Sequence, residues 1–425
     1  MRVLRWKRIL IGAGALWIVV GCLVGAQQRV TFPDDGLEEA IRAAIYSPSG
    51  TLYDYDVSWL TVLDASSRGI GALTGIGHCT SLRDVDLRDN RIGDLSPLAD
   101  LDVLQRLYLD DNEIENLSDL RWLPQLVELT LAGNRIRSIA SLEGLVFLER
   151  LHLDGNEIED VSPLRGLSRL EDLRVRCAPN TDLSPIQALE RLRGLAVECA
   201  GPFDLSALGR MDRLVTLELV ATEVADFAPL RWIDSLASLR LNGMTVESLV
   251  PVVDAAPQLT GFSLEDMALP DVSPLTELAG LQVLRFTRVD LEDLGIFLAF
   301  PDLVEAEVRG CGIADIGVIA AIDELRALDV GDNDIDDVAA IATLRHLEDL
   351  LLDGNPIVDI GPLRALRNLK RLSLSSTDVT EISTLLELPD LEDVELRDTP
   401  LNLGSGSAAS GVIERLRNRG VRVET

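Results

Sequence analysis

The sequence predicts an α/β solenoid, in which short coils of chain stack on one another and share a continuous core. Leucine recurs at fifteen successive positions 22 residues apart, with one step of 23. Each of these leucines opens an apolar alternation that is typical of a short strand. An asparagine follows eight residues later in six of the units. A coil of this length cannot bury its apolar side alone, so the coils are expected to stack.

The repeat unit reads L-x-x-L-x-L-x-x-N-x-I-x-x-L-x-x-L-x-x-L. A weaker sixteenth unit precedes the others and begins at Leu60. The fifteen regular units begin at Leu82, Leu104, Leu126, Leu148, Leu170, Leu192, Leu214, Leu236, Leu259, Leu281, Leu303, Leu325, Leu347, Leu369 and Leu391. Position numbers within a coil are counted from this leucine.

The asparagine at the ninth position predicts a hydrogen-bonding role inside the solenoid. An inward amide can satisfy the backbone groups of the turn that follows each strand. The column consists of Asn90, Asn112, Asn134, Asn156, Asn333 and Asn355. Between Ala178 and Cys311 the column is filled by other residue types, so less regular turns are expected there.

Beyond the asparagine, many coils continue with an acid, an apolar residue, Ser and Pro. Ser96 and Pro97 are expected to act as the N-cap and the first residue of a helical turn. An acid stands two residues before the serine position. It could belong to a cation-binding ladder or could accept hydrogen bonds within its own turn, and the second interpretation is simpler. The acids are Asp94, Asp160, Asp182, Asp204, Asp226, Asp271, Asp293, Asp315, Asp337, Asp359 and Glu381.

Residues 1–26 are predicted to direct export. A basic start, MRVLRWKR, precedes an uncharged apolar run from Ile9 to Ala26. The run is interpreted as a secretory signal peptide cleaved after Ala26, as a lipoprotein signal with Cys22 as the lipidated residue, or as an uncleaved membrane anchor. In each case the basic flank stays inside and the remainder is exported. The protein is then secreted or attached to the outer side of the bacterial membrane, which it contacts only through this segment.

The repeats resemble those of the bacterial leucine-rich-repeat proteins with 22-residue units, of which the internalins are the familiar example. The resemblance covers roughly residues 30–425. It implies a curved right-handed superhelix with a parallel β-sheet on the concave face and short 3-10 or helical turns, or extended segments, on the convex face. It also implies an N-terminal cap over 27–59, repeats over 60–403 and a C-terminal cap over 404–425. Members of this family typically bind other proteins.

Composition and motifs argue against several classes of function. The net charge is −31, from 70 acids and 39 bases, and so acidic a chain is poorly suited to bind nucleic acid. The three histidines, His78, His152 and His346, occupy different positions in their repeats. No phosphate loop, zinc motif or nucleophile elbow is present. We therefore expect no enzymatic activity, no cofactor and no metal centre.

The exposed face of the predicted sheet is the candidate binding surface. Side chains at the third, fifth, seventh and eighth positions are expected to point outward, giving a face that is acidic at both ends and near neutral in the middle. Glu218–Arg240 and Arg285–Glu307 are expected to form ion pairs across neighbouring coils. The partner-binding candidates are Tyr108, Thr130, His152, Arg174, Arg176, Arg240, Asn242 and Arg285.

Cys177 and Cys199 occupy the eighth position of adjacent coils, 22 residues apart. Stacked strands bring such positions to about 5 Å, within the Cα separation that a disulfide tolerates. The two cysteines are therefore interpreted as a disulfide, as two unpaired small residues, or as a site.

Two functions fit the sequence. The favoured one is an exported, non-catalytic and monomeric module that binds a protein partner through the concave face. Sixteen coils would expose on the order of 1,000 Å² there, and a standard interface needs about 800 Å² per partner. The alternative is a structural spacer, an acidic rod of the cell envelope stabilised by Ca²⁺.

Overall fold

The computed structural model describes residues 28–179, 181–199, 201–209, 211–268, 271–291 and 293–425. The predicted export segment, with Cys22, lies outside these residues. The described chain forms two compact units, one ending at Arg176 and the other beginning at Cys177. None of the helices in the described ranges is long and apolar enough to cross a membrane.

Each of the sixteen coils contributes one short strand at the predicted place. The strands pair in parallel with a shift of one repeat, as in Arg106 opposite Glu128 in the first unit and Thr216 opposite Ser238 in the second. The coil strands are β3 Val62–Asp64, β4 Asp84–Asp86, β5 Arg106–Tyr108, β6 Glu128–Thr130, β7 Arg150–Ile158, β8 Asp172–Cys177, β9 Gly194–Cys199, β10 Thr216–Val220, β11 Ser238–Asn242, β12 Gly261–Glu265, β13 Val283–Thr287, β14 Glu305–Arg309, β15 Ala327–Asp329, β16 Asp349–Leu351, β17 Arg371–Ser373 and β18 Asp393–Glu395. The predicted leucine-rich-repeat solenoid with a parallel sheet is thereby confirmed.

The backbone at the eighth position limits most of the strands. The alternating side chains of the strand place the fourth and sixth residues in the core, where Leu107 and Leu109 are fully buried. In fourteen coils the eighth residue then adopts a left-handed conformation with a positive φ. In thirteen of these coils the strand ends before this residue, whereas β7 continues beyond Gly155 to Ile158. The fourteen left-handed residues are Ser67, Asp89, Asp111, Gly133, Gly155, Ala221, Gly243, Asp266, Arg288, Gly310, Asp332, Gly354, Ser376 and Asp398.

The asparagine column ties each coil to its neighbour, as predicted. The Nδ2 of Asn112 donates to the carbonyl oxygens of Leu87 at 3.0 Å and Leu109 at 3.1 Å. Its Oδ1 accepts from the backbone N–H of Ile92 at 2.9 Å. Buried backbone groups of the turn are thus satisfied by one side chain that spans two coils.

Opposite the sheet, fourteen coils turn through short 3-10 segments. The N-terminal cap contains the helices α1 Asp35–Ala44 and α2 Asp54–Val57. The single 23-residue coil forms the helix α3 Val250–Ala255 instead of a 3-10 turn. The 3-10 turns are Ile76–His78, Ser96–Leu98, Ser118–Trp122, Ala140–Leu142, Ser162–Gly166, Ser184–Ala188, Leu205–Leu208, Ala228–Trp232, Ser273–Glu277, Gly295–Ala299, Gly317–Ala321, Ala339–Thr343, Gly361–Ala365 and Ser383–Glu387.

The acids before these turns accept hydrogen bonds within their own turn. Asp94 Oδ1 accepts from the backbone N–H of Ser96 at 2.9 Å, and its Oδ2 accepts from the Ser96 hydroxyl at 3.0 Å. All eleven predicted acids make the equivalent contact to the backbone N–H two residues later. The expectation that Ser96 is the N-cap was wrong, because Ser96 is the first residue of the turn and Leu95 holds the N-cap position, while Asp94 accepts from the Ser96 N–H.

A helical cap closes the N-terminal end of the first unit, and another closes the C-terminal end of the second unit. In α1, Leu37, Ala40 and Ile41 are buried along the predicted apolar stripe. Before it, β1 Arg29–Val30 pairs antiparallel with β2 Leu52–Tyr53. At the other end, α4 Ala408–Asn418 buries its own apolar side, and β19 Arg422–Glu424 adds a parallel strand beside β18.

Asp34 joins the N-terminal cap to the first coil. Its Oδ1 accepts from the backbone N–H of Leu37, which caps α1, and its Oδ2 accepts from the N–H groups of Gly71 and Ala72 at 2.9 and 3.1 Å. Partial burial by itself raises the pKa of Asp34, but these backbone donors outweigh it and hold the pKa below its ordinary value.

Replacing Asp34 by alanine is expected to lower the free energy of unfolding by about 2 kcal/mol, because a helix cap and two inter-element bonds are lost. Since the folded-state pKa is lowered, the ionised carboxylate stabilises the fold above its unfolded pKa of about 4, and this stability is lost as the pH falls through the folded value. Urea unfolding at pH 7 and in acid measures both effects. The neighbouring exposed Asp35→Ala is the control, and an equal loss in both variants would contradict this role.

Candidate functional site

We call the sheet face the surface formed by the side chains at the third, fifth and seventh positions of the coils. In the first unit it runs along β4 to β8. The register places Tyr108 beside Thr130 and Thr130 beside His152. The fifth-position side chains of these coils therefore form a column, and the strands that carry it are held by the buried leucines on their other side.

Hydrogen bonds link side chains of this column to carboxylates at the third position of the following coil. The Tyr108 hydroxyl donates to Glu128 Oε2 at 2.6 Å. Arg150 pairs with Glu128 and also with Asp172, at 3.4 Å between Nε and Oδ2. His152 Nε2 lies 3.2 Å from Asp172 Oδ2. Two third-position carboxylates thus hold an aromatic ring, an imidazole and a guanidinium in place.

Asp172 is the ionised centre of this network. The hydrogen bond with His152 lowers the pKa of Asp172, and this effect outweighs the partial burial that would raise it, with further help from the charges of Arg174 and Arg150. The carboxylate is therefore negatively charged at neutral pH.

The other two members of the column differ sharply in accessibility. Thr130 is only 6% exposed, and its hydroxyl donates to Asp110. Arg174 is exposed, and it makes no hydrogen bond or ion pair with the residues that the structure describes. Its charge acts on Asp172 only from beyond ion-pair distance, so its guanidinium is available to a partner.

Arg88 and Arg176 extend this surface. The Arg88 guanidinium carbon lies 5.6 Å from the centre of the Tyr108 ring, in a cation–π contact that the sequence did not indicate. Arg176 is exposed at the rim of a pocket of about 280 Å³. The rest of the pocket is lined by Asn134, Arg135, Arg137, Gly155, Asn156 and Glu157.

The candidates in the second unit are held in ion pairs. Arg240 lies 3.8 Å from Glu218 and 2.9 Å from Glu265. Arg285 pairs with Glu305 and lies 3.6 Å from Glu307. Both predicted inter-coil ion pairs are thereby confirmed, and these arginines are less free than Arg174. Asn242 ends β11, half-buried, between Val220 and Glu265 in the register.

The predicted cysteine pair lies in the core and not on the sheet face. Cys177 and Cys199 are 4% and 5% exposed and carry free thiols. The expectation that eighth-position side chains point outward was therefore wrong for these two coils. Within the described residues, no group of three or more histidine, cysteine or acidic side chains is placed to hold a metal ion.

The chain is similar to known leucine-rich-repeat proteins. Two family models, both described as leucine-rich repeat, match residues 80–136 and 325–342. No curated protein sequence is significantly similar to the chain.

Several solved structures are similar to the chain. An internalin, inlF, from Listeria monocytogenes is 26% identical and covers 85% of this chain and 95% of its own, with a TM-score of 0.47. The functional domain of InlJ from the same organism, described as including a cysteine ladder, is 21% identical and covers 88% and 82%, with a TM-score of 0.52. A leucine-rich-repeat protein of Leptospira interrogans is 20% identical and covers 84% and 82%, with a TM-score of 0.41.

Proposed function

We propose that this leucine-rich-repeat protein, similar in fold to the bacterial internalins, is an exported, non-catalytic module that binds a protein partner. The contact surface is the sheet face around Tyr108, His152 and Arg174. Export rests on the basic and apolar start of the chain, which is typical of a targeting segment. The choice of this contact surface rests on the geometry of the first unit.

The single observation that carries the proposal is an unpaired arginine at the end of a fixed polar network. Tyrosine and arginine are enriched among the residues that dominate binding energies. Because Glu128 and Asp172 already hold Tyr108 and His152, these side chains lose little conformational entropy when a partner binds. Arg174 makes no close ion pair with a described residue and acts on Asp172 only at longer range, so an acidic group of the partner can pair with it without first breaking an ion pair.

The same contacts argue against catalysis at this face. Thr130 lies beside His152 in the register, and a hydroxyl next to an imidazole–carboxylate pair is the arrangement of an activated nucleophile. Here the Thr130 hydroxyl donates to Asp110 instead. His152 therefore has a carboxylate partner but no hydroxyl to deprotonate, and its role is to present a polar edge to a partner.

The structure offers less support for a Ca²⁺-stabilised rod. That alternative depends on the acids before the convex turns acting as cation ligands. Each of the eleven instead accepts from a backbone N–H in its own turn. Their negative charge is thereby used to cap the turns.

Charge reversal at Arg174 tests the proposal. The immobilised protein is used to capture binding proteins from the envelope of the cells that produce it, and Arg174→Glu is expected to lose the partner that the unmodified protein retains. Reversal adds repulsion to the loss of a charge-assisted hydrogen bond, so a decrease of at least about tenfold in affinity is expected.

Arg165→Glu provides the matched control. Arg165 is also exposed, but it lies in the 3-10 turn Ser162–Gly166, on the opposite side of the neighbouring coil. It carries the same change of charge and should capture the partner normally. Equal capture by both variants would refute binding at the sheet face, and equal loss would show that only net charge matters.

A further inference from the structure

Two adjacent coils differ from all the others in the backbone conformation at the eighth position. In fourteen coils the eighth residue is left-handed, with a positive φ. In the remaining two coils the eighth residue is a cysteine that is still part of an extended strand, because β8 continues through Cys177 and β9 through Cys199. The alternation of the strand therefore continues to the eighth side chain and directs it inward.

The inward turn brings two thiols together in the core. Both side chains are buried, and the two thiols are close enough to share a hydrogen bond. This hydrogen bond raises the pKa of Cys177 and lowers that of Cys199, so Cys199 is the sulfur that forms a thiolate more readily. Both residues lie in the second unit, in consecutive coils.

The same two coils lack the usual tie between neighbours. Where asparagine is present, as in Asn134, its amide bonds backbone groups of its own coil and of the coil before it. The residues that follow Cys177 and Cys199 are alanines in the sequence, which have no amide to offer. The thiol pair thus occupies the place where an inter-coil connection is missing.

We propose that Cys177 and Cys199 are a modification site at which oxidation forms a disulfide between adjacent coils. Their place in consecutive repeats puts the Cα atoms at about 5 Å, the spacing of neighbouring strands, within the range a disulfide tolerates. The bond closes a loop of 22 residues and restores a covalent tie where the asparagine column is interrupted. Formation of this disulfide in the cell rests on the proposed export, since an oxidising compartment is required. Its formation by an added oxidant in vitro does not depend on export.

The oxidant is another disulfide of the oxidised glutathione class. The thiolate of Cys199 attacks one of its sulfurs, which forms a mixed disulfide and releases one thiol. Cys177 then loses its proton and attacks the Cys199 sulfur, which releases the second thiol. The protein pair loses two electrons and two protons, and the external disulfide is reduced to two thiols.

Peptide mapping of the oxidised protein tests the pairing directly. The purified full chain is equilibrated with oxidised glutathione, blocked with an alkylating reagent in denaturant, and digested with trypsin without reduction. The expected product joins the peptide 177–191 to the peptide 194–210, and the number of reactive thiols falls by two. An unchanged number of reactive thiols after oxidation, or a linkage that involves Cys79 or Cys311, would overturn the proposal.

A stability measurement shows whether the disulfide stabilises the fold. The urea midpoint of the unmodified protein is expected to be higher in oxidised than in reduced form, and this difference should vanish in Cys177→Ser/Cys199→Ser. Cys311→Ser should retain the difference, because Cys311 hydrogen-bonds to backbone carbonyls elsewhere in the second unit. A midpoint insensitive to oxidation would contradict the proposed tie. Neither experiment measures partner binding, so both are independent of the proposed function.

Discussion

Replacing Asn156 by alanine is expected to lower the free energy of unfolding by about 3 kcal/mol. The side chain is 1% exposed, and its Nδ2 donates to the carbonyl oxygens of Leu131 at 2.8 Å and Leu153 at 3.1 Å. Its Oδ1 accepts from the N–H of Ile136 at 2.9 Å. Alanine leaves these buried backbone groups without partners, and each unsatisfied group costs about 1–3 kcal/mol.

Urea unfolding of the variant checks this value, with Asn116→Ala as the control. Asn116 is exposed and accepts only from the backbone N–H of Ser118, so its loss should cost less than about 1 kcal/mol. Equal effects of the two substitutions would show that the column does not tie the coils together.

Replacing Phe286 by alanine is expected to be more damaging, at about 4 kcal/mol. Phe286 is fully buried at the sixth position of its coil and packs edge-to-face on Phe297, with ring centres 6.0 Å apart. Truncation removes the ring from the core of the second unit and leaves a cavity between coils that the neighbouring strands can fill only in part.

The exposed Trp232→Ala is the matched control, because it removes an aromatic ring of comparable size from the convex side of the same unit. Trp232 is 69% exposed, so its loss is expected to change the urea midpoint little. If Phe286→Ala left the midpoint unchanged as well, the continuous core deduced from the repeat would be contradicted.

Most of the fold could be predicted because the repeat is itself the structural unit. The leucine spacing gave the strands, and the asparagine column gave the inter-coil hydrogen bonds. The predicted leucine-rich-repeat resemblance is confirmed by the family models and by the shared fold. The helix α3 was not predicted, because one extra residue in a coil changes the turn through local hydrogen bonding that the repeat pattern does not contain.

The candidate site was predictable only in outline. Register alone placed Tyr108 and His152 in one column. The carboxylates that bind them, Glu128 and Asp172, are at the third position of the following coil. Whether such side chains make contact depends on side-chain length and rotamer. For the same reason the sequence could not tell that Arg174 is unpaired while Arg240 is held by two glutamates.

The inward direction of Cys177 and Cys199 could not be predicted from the repeat pattern. The eighth position reads as outward when every coil is assumed to turn in the same way. Cysteine and alanine at the eighth and ninth positions of two coils replace residues that favour a left-handed turn and a buried amide, so the strand continues for longer. Such a change comes from backbone preference and not from hydrophobic periodicity.

Site-specific photocrosslinking tests binding at the sheet face most directly. Ala132 is a small, half-buried residue at the seventh position of the coil between those of Tyr108 and His152. A benzophenone side chain at residue 132 is expected to crosslink to the captured partner, whereas the same group at residue 165, on the convex turn, is not. Crosslinking from 165 alone would place the partner on the other side of the repeats and contradict the proposed mode of binding.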